Sequence, residues 1–164
     1  MIINHNFYLN LAFNQAEKNL GKTKFNPSVG CVVVKNNSVV STGVTSINGR
    51  PHAEFNALKY KINYINADLY VTMEPCTHYG LTPPCVNIIK KKGIKNVYYS
   101  FVDPDKRTFK KAKLILRKSK IFTKQLINKK NRNFYNSYII NKKNKIPYIS
   151  AKIATSKDFL TINK

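Results

Sequence analysis

Three short segments that carry potential metal ligands constrain the fold of this chain more than any other feature of its sequence. His52 lies in the first segment, and Cys76 and Cys85 lie in the other two, each directly after a proline. We expect each of them at the end of a strand or the start of a helix, where backbone dipoles favour a thiolate over a thiol. Zinc prefers nitrogen and sulfur ligands, and a catalytic zinc site keeps one position for water beside three protein ligands. The sequence therefore predicts that the three segments meet in one zinc site.

Glu54 follows His52 by two residues and is predicted to serve the same site without binding the metal. Positions i and i+2 do not share a face of a helix, so this carboxylate is poorly placed to ligate the metal that His52 binds. It can instead reach the side of the pocket where water and substrate meet, and act there as a general acid and base. A structural zinc site would prefer four protein ligands and would have no use for Glu54. The pattern favours hydrolytic deamination of an amino-heterocycle.

The cysteines and the N-terminus indicate a cytoplasmic protein. Three cysteines are an odd number for a disulfide framework, and a Cys76–Cys85 disulfide would leave His52 and Glu54 without a purpose. Cys31 falls within a β-branched run and is interpreted as a small buried side chain rather than a ligand. The first residues lack the blocks of a signal peptide, and the apolar runs are of strand length, so no membrane association is expected.

The order of apolar runs predicts an α/β protein. Short β-branched runs bounded by turn residues indicate strands, and apolar residues at helical spacing indicate helices. After a first helix, the order β-β-α-β-α-β-α-β favours one sheet with helices on both faces. The predicted strands are 29–34, 38–43, 68–72, 96–101 and 120–123, and the predicted helices are 7–20, 52–61, 85–92 and 109–118, with a further helix docked within 128–145.

The net charge of +22 is weak evidence for a nucleic-acid partner. Only four of the 29 basic residues are arginines, and arginine is the residue expected at base edges and at bidentate phosphate contacts. The lysines are scattered among many asparagines and isoleucines, as AT-rich coding produces without selection for binding. We interpret the charge as compositional, with weak non-specific affinity for polyanions as a by-product.

Two motifs resemble those of a known enzyme family. Residues 52–54 read H-A-E, and residues 74–85 read E-P-C-T-H-Y-G-L-T-P-P-C, with eight residues between the cysteines. These resemble the deaminase domain of the bacterial riboflavin-biosynthesis (RibD) family, whose motifs are H-A-E and E-P-C-S/T-H-x-G-R/K-T-P-P-C. Cytidine and nucleic-acid deaminases commonly use C-x-x-C instead. Further similar stretches are N-P-S-V-G-C-V-V at 26–33, D-P at 103–104, and residues 146–158.

The resemblance implies a fold, a reaction and a set of site residues. The fold would be the three-layer α/β/α cytidine deaminase-like fold with a central mixed sheet. The reaction would convert 2,5-diamino-6-ribosylamino-4(3H)-pyrimidinone 5′-phosphate to 5-amino-6-ribosylaminouracil 5′-phosphate, with release of ammonia. The implied residues are His52, Cys76 and Cys85 for one Zn²⁺ per chain, Glu54 for proton transfer, and Asn26, His78 and Asp103 for substrate contacts.

The chain departs from the family at three positions near the expected substrate. Leu81 replaces a basic residue suited to a phosphate, Asp105 replaces an asparagine, and Thr45 replaces a histidine. The set for metal binding and proton transfer is complete. We therefore expect weakened substrate binding, unless Lys106 or Arg107 compensates, rather than an inactive enzyme.

Residues 1–145 are predicted to form the deaminase domain. Residues 146–164 resemble the start of the family's NADPH-dependent reductase domain, with Phe159 in place of its glycine, and are expected to form a strand. The chain alone is expected to deaminate without NADPH. Its expected partners are the small pyrimidine ribotide, a separate reductase polypeptide and, more weakly, further copies of itself.

Two alternatives stay open on the sequence. A deaminase of nucleic acid or of another nucleoside would exploit the positive charge, but it predicts C-x-x-C spacing and arginines near the site. A decayed zinc-binding module that supports a separate reductase is motivated by Leu81, Asp105 and Thr45. Substrate turnover separates this second alternative from an enzyme.

Overall fold

The structure is a computed structural model and describes residues 4–159 and 161. One mixed sheet lies at its centre. Its order is β2-β1-β3-β4-β5. Strand β1 pairs antiparallel with β2 and β3, whereas β3, β4 and β5 run parallel to one another. The strands are β1 (Gly30–Lys35), β2 (Ser38–Val44), β3 (Asp68–Met73), β4 (Asn96–Phe101) and β5 (Phe122–Gln125).

Helices cover both faces of this sheet, which confirms the predicted three-layer arrangement. Gly30 and Gly43 show it directly: a Cβ at Gly30 would meet the first helix, and a Cβ at Gly43 would meet the second. Gly43 pairs with Cys31, so a Cβ at Gly43 would lie on the same face of the sheet as the Cys31 side chain. Gly30 is the neighbour of Cys31 in the strand, so its Cβ would lie on the opposite face. The helices are α1 (His5–Glu17), α2 (Ala53–Leu58), α3 (Cys85–Lys91), α4 (Ala112–Lys118) and α5 (Asn136–Asn144), with a 3₁₀ turn at Ile47–Gly49.

The close approach of α1 to β1 gives a stability prediction. An alanine at position 30 would place its Cβ against the Ala12 carbonyl oxygen and 2.7 Å from the Ala16 nitrogen, both backbone atoms that cannot turn aside. We expect Gly30→Ala to lower the free energy of unfolding by about 3 kcal/mol, measured by urea denaturation. Gly80→Ala is the control, because its Cβ would meet only the flexible Arg50 side chain at 3.4 Å. Equal stability of the two variants would contradict the packing described.

The carboxyl ends of the parallel strands form the edge at which the candidate site lies. The Glu74 amide, just after β3, donates to the Phe101 carbonyl at the end of β4 at 2.7 Å. This bond holds the loops after the two strands side by side. Helices α2 and α3 begin at the same edge, so their first residues face those loops.

Most predicted elements are present, with shifted ends. Strand 96–101 has the predicted bounds, and helix 109–118 instead begins at Ala112. The later start follows from Glu74, whose carboxylate accepts the amides of Lys110 and Ala112 at 3.0 and 3.1 Å. Strand 120–123 begins two residues later, at Phe122, which is the residue that pairs with Asn96 of β4.

The C-terminal part of the chain confirms one prediction and corrects another. Helix α5 is docked, because the Tyr135 hydroxyl at its start bonds to Thr72 Oγ1 at 2.6 Å and to the Ser28 carbonyl at 2.9 Å. The strand expected over 146–164 is wrong for the described residues of that range: 146–159 contain no strand and their side chains are exposed. No described strand pairs with them; their backbone forms local hydrogen bonds, from Asn141 Nδ2 to the Ile146 carbonyl at 3.4 Å and from the Phe159 amide to the Ser156 carbonyl at 3.0 Å. Residues 160 and 162–164 lie outside the described residues.

Within the part of the chain that the structure describes, no helix combines the length and the apolar character that a membrane span requires.

Candidate metal and catalytic site

The three predicted ligands meet at the carboxyl edge of the sheet. His52 immediately precedes α2, Cys76 lies in the loop after β3, and Cys85 is the first residue of α3. His52 Nδ1 lies 3.6 Å from Cys76 Sγ and 3.4 Å from Cys85 Sγ. The three ligand atoms all lie within 4.8 Å of one another. The fold thus brings together the segments that the sequence placed in one site.

The spacing of these atoms fits a tetrahedral zinc ion. Zn–S and Zn–N bonds of about 2.3 and 2.05 Å at a tetrahedral angle put nitrogen and sulfur about 3.6 Å apart. The observed separations of 3.6 and 3.4 Å match that value. Two thiols and one imidazole also bind zinc in preference to magnesium or calcium, which prefer oxygen ligands.

The two thiols are electrostatically unequal, as expected for a pair that shares one proton. A hydrogen bond from the Cys85 thiol, with further ones from His52 and from the Cys85 amide at 3.2 Å, lowers the pKa of Cys76. The same thiol–thiol bond, together with burial, raises the pKa of Cys85. Hydrogen bonding to Cys76 raises the pKa of His52. One anionic sulfur is therefore stabilised even before a cation binds.

Glu54 lies beside this cluster and is almost fully buried, with 3% of its surface exposed. Burial, followed by the negative charge of Cys76, raises the pKa of Glu54 to about 7, while His52 acts in the opposite direction. A carboxyl group with such a pKa can both accept and donate a proton near neutral pH. Glu54 thus lies beside the three potential ligands, where the sequence predicts it.

The predicted substrate residues line the same pocket as Glu54. Asn26 donates through Nδ2 to the Gly49 carbonyl at 3.0 Å, which leaves its Oδ1 as a free acceptor among the described contacts. His78 bonds through Nδ1 to the Thr108 hydroxyl at 3.1 Å, which leaves Nε2 for another partner. Asp103 is buried and accepts the Asp105 amide at 2.9 Å.

The residues noted as departures are distributed unevenly. Thr45 and Asp105 line the pocket, whereas Leu81 is 88% exposed and does not. Arg107 lies at the pocket but is held by Asp105, whose carboxylate it contacts at 2.6 Å. The hydrogen bond from Arg107 lowers the pKa of Asp105. Lys106, the other residue that could compensate for Leu81, is exposed and outside the pocket lining.

The pocket residues that were not predicted include Arg50, Tyr138 and Lys142. Tyr138 and Lys142 belong to α5, and the Tyr138 hydroxyl donates to Asp103 Oδ1 at 3.3 Å. No motif signals these two, because their position depends on how α5 docks. Arg50 had a signal, since it stands two residues before His52 in the chain.

Glu74 organises the loop that follows β4. Its carboxylate is buried and accepts three backbone amides, those of Asp103 (3.4 Å), Lys110 (3.0 Å) and Ala112 (3.1 Å). These bonds fix both ends of the segment that places Asp103 in the pocket and Thr108 against His78. Glu74 is therefore a positioning residue, with no contact to the thiols.

Glutamine at position 74 is expected to lower the free energy of unfolding by about 2 kcal/mol, because its NH₂ group would face backbone amides that now meet an acceptor. The measurement is thermal or urea unfolding of Glu74→Gln. Glu17→Gln, the same change at an exposed end of α1, is the matched control and should leave stability unchanged. If both variants unfold alike, the carboxylate does not hold the loop.

Comparison with known proteins agrees with this site. Residues 3–101 match the family model for the cytidine and deoxycytidylate deaminase zinc-binding region. The riboflavin-biosynthesis protein RibD of Bacillus amyloliquefaciens is 36% identical over 154 residues, which are 93% of this chain and 42% of that protein. The diaminohydroxyphosphoribosylamino-pyrimidine deaminase of Buchnera aphidicola subsp. Schizaphis graminum is 39% identical over 131 residues, 79% of this chain and 89% of that protein.

A solved structure shows the same fold. RibD of Acinetobacter baumannii superposes with a TM-score of 0.84 at 33% identity, covering 94% of this chain and 44% of that one. The chain thus spans less than half of the length of the RibD proteins it matches. The match confirms the mixed sheet of a RibD deaminase domain and the resemblance drawn from the motifs. The chain belongs to the diaminohydroxyphosphoribosylaminopyrimidine deaminase family, within the zinc-binding cytidine deaminase-like proteins.

Proposed function

We propose that this chain deaminates 2,5-diamino-6-ribosylamino-4(3H)-pyrimidinone 5′-phosphate to 5-amino-6-ribosylaminouracil 5′-phosphate, a hydrolytic step of riboflavin biosynthesis that releases ammonia. The observation that carries the proposal is a buried carboxyl group, Glu54, beside a cluster of one imidazole and two thiols. The name of the Buchnera relative, which aligns over 89% of its own length, supports the choice of substrate.

In this proposal His52, Cys76 and Cys85 hold one zinc ion per chain. The fit of their spacing to tetrahedral geometry supports the assignment. Bound there, zinc would supply Lewis acidity that makes water a nucleophile near neutral pH. Two thiolates would balance the double charge of the cation, so the buried site would carry little net charge.

Glu54 moves the protons of the reaction. Its carboxylate accepts a proton from the attacking water and delivers it to the ring nitrogen next to the carbon that bears the 2-amino group. A second proton passes through the same carboxyl group to the departing amine, which leaves as ammonia. Oxygen replaces nitrogen at that carbon without a change of oxidation state, so NADPH has no role in this step.

Asn26, His78 and Asp103 are the proposed substrate contacts. The free Oδ1 of Asn26 and the free Nε2 of His78 among the described contacts support this assignment, since polar edges of the pyrimidinone need fixed partners. Asp103 supplies a buried acceptor for amino groups.

The domain organisation, the partners and the cellular location are also proposed. Residues 1–145 form the deaminase domain, and 146–164 correspond to the beginning of a reductase domain, in line with the longer RibD relatives. The proposed partners are a reductase, whether it belongs to the same polypeptide or to a separate one, and further copies of the deaminase. A cytoplasmic location suits two zinc-binding thiols, because reducing conditions keep them from forming a disulfide.

The test is ammonia release from the pyrimidinone ribotide by the purified, zinc-loaded protein. Cytidine, single-stranded DNA and tRNA serve as competing substrates in the same assay. The expected result is release from the ribotide alone. Release from nucleic acid instead would replace the substrate assignment, and no release from any of them at one zinc per chain would leave a zinc-binding module without turnover.

A further inference from the structure

Arg50 is placed at the mouth of the candidate site by contacts on two sides. Its Nη1 donates to the Thr82 hydroxyl at 2.8 Å and lies 3.4 Å from His52 Nε2. Its Nη2 lies beside Gly80, where an added Cβ would be 3.4 Å away. The imidazole ring of His52 thus separates the guanidinium from the thiols, and the 80–82 loop fixes its direction.

The other cations of the pocket are already paired. Three basic side chains line it, namely Arg50, Arg107 and Lys142. Arg107 and Lys142 lie 2.6 and 3.8 Å from the Asp105 carboxylate. Among residues 4–159 and 161, Arg50 forms no such ion pair. It is the pocket cation whose charge the described protein leaves uncompensated.

We infer that Arg50 anchors the 5′-phosphate of the substrate. An unpaired guanidinium with most of its N–H groups unused suits a phosphate, which it can bind with two parallel hydrogen bonds. Its hydroxyl partner, Thr82, keeps the group in place without neutralising it. In this arrangement the base would lie at the thiols and the sugar phosphate would reach the guanidinium on the other side of the His52 ring.

Arg50 supplies the cation that is missing at Leu81. Leu81 offers no charge and is exposed, and Arg107, one of the two cations that could compensate, is paired with Asp105. The inference about Arg50 rests on the proposed function for the identity of the substrate, because the proposed ribotide carries a 5′-phosphate. The anion-binding role of Arg50 can nevertheless be measured without turnover.

The experiment compares wild type, Arg50→Gln and Arg50→Lys. For each protein kcat/KM is measured for the pyrimidinone ribotide and for its dephosphorylated riboside. Binding of ribose 5-phosphate is measured by titration calorimetry, and the zinc content is determined on the same samples. Arg117→Gln, which removes the same charge from an exposed position on α4, is the matched control. Charge-assisted hydrogen bonds predict a loss of about 30-fold in Arg50→Gln for the ribotide, with the riboside changed less than about threefold.

Arg50→Lys should lie between wild type and Arg50→Gln, because it keeps the charge and loses the planar fork. All variants should keep equal zinc content, and Arg117→Gln should behave as wild type. An equal loss for ribotide and riboside, or ribose 5-phosphate binding that ignores Arg50→Gln, would overturn the inference. Arg50-dependent binding of ribose 5-phosphate without deamination of either pyrimidinone would instead refute the proposed function and leave the anion site standing.

Discussion

Replacing Glu54 with glutamine is expected to lower kcat for ammonia release by about 10³-fold or more, while one zinc ion per chain is retained. Glutamine has the same size and fills the same buried position, but its amide cannot accept a proton from water. The Glu54 side chain hydrogen-bonds to Cys85, but His52, Cys76 and Cys85 are each positioned by the backbone of a separate element, and a glutamine can still hydrogen-bond to the thiol. The measurement is a single-turnover ammonia assay with zinc quantified on the same sample.

Two further variants make this result specific. Glu54→Asp retains the carboxyl group at a shorter reach and should recover part of the rate. Glu17→Gln applies the same chemical change at an exposed position and should leave the rate unchanged. Because burying a carboxyl group is unfavourable, Glu54→Gln should unfold at a temperature no lower than wild type. A fully active Glu54→Gln variant, or one that loses zinc together with activity, would show that the carboxyl group does not transfer the protons.

The sequence predicted the metal cluster because its determinants are local. Each ligand follows a proline and begins a helix or follows a strand, and these boundaries can be recognised from short apolar runs and turn residues. Parallel pairing of β3 and β4 then brings the loops after them to one edge. Once these segments lie together, their one imidazole and two thiols determine which metal the site can bind.

The rest of the pocket depends on contacts between distant parts of the chain. Tyr138 and Lys142 reach the site because Tyr135 bonds to Thr72 and Ser28, which precede it by 63 and 107 residues. Neither contact leaves a pattern within the helix itself. The start of α4 was misplaced for the same reason, because a carboxylate 38 residues away binds the Ala112 amide.

Arg107 shows why the sequence alone does not predict which cation is free to bind a phosphate. The sequence predicts weakened substrate binding because Leu81 replaces a cation, unless Arg107 or Lys106 compensates. In the structure the turn at 105–107 lets Arg107 contact the carboxylate of Asp105 two residues earlier. A count of basic residues cannot distinguish a paired cation from a free one, whereas the ion pairs of the described structure can.

The second large effect is expected for Cys85→Ser, which should hold less than about one tenth of the wild-type zinc and show no measurable deamination. Serine is a poor zinc ligand, because its hydroxyl stays protonated where a thiol would ionise. Zinc at about 1,000 times its dissociation constant would stabilise the wild-type fold by about 4 kcal/mol, and the variant would lack this contribution. Thermal unfolding with and without a strong chelator measures this contribution. With the chelator, wild type and Cys85→Ser should unfold at the same temperature.

Cys31→Ala provides the matched control for this loss, because it removes the remaining cysteine of the chain from the core of β1. Burial raises the pKa of Cys31 well above its usual value, so its thiol stays protonated and offers zinc no thiolate. We expect this variant to be about 1 kcal/mol less stable than wild type, yet to keep its zinc, its activity and its response to the chelator. Loss of zinc from Cys31→Ala, or its retention in Cys85→Ser, would mean that the metal is held by a different set of ligands, since only thiolates in contact with His52 can complete the site described.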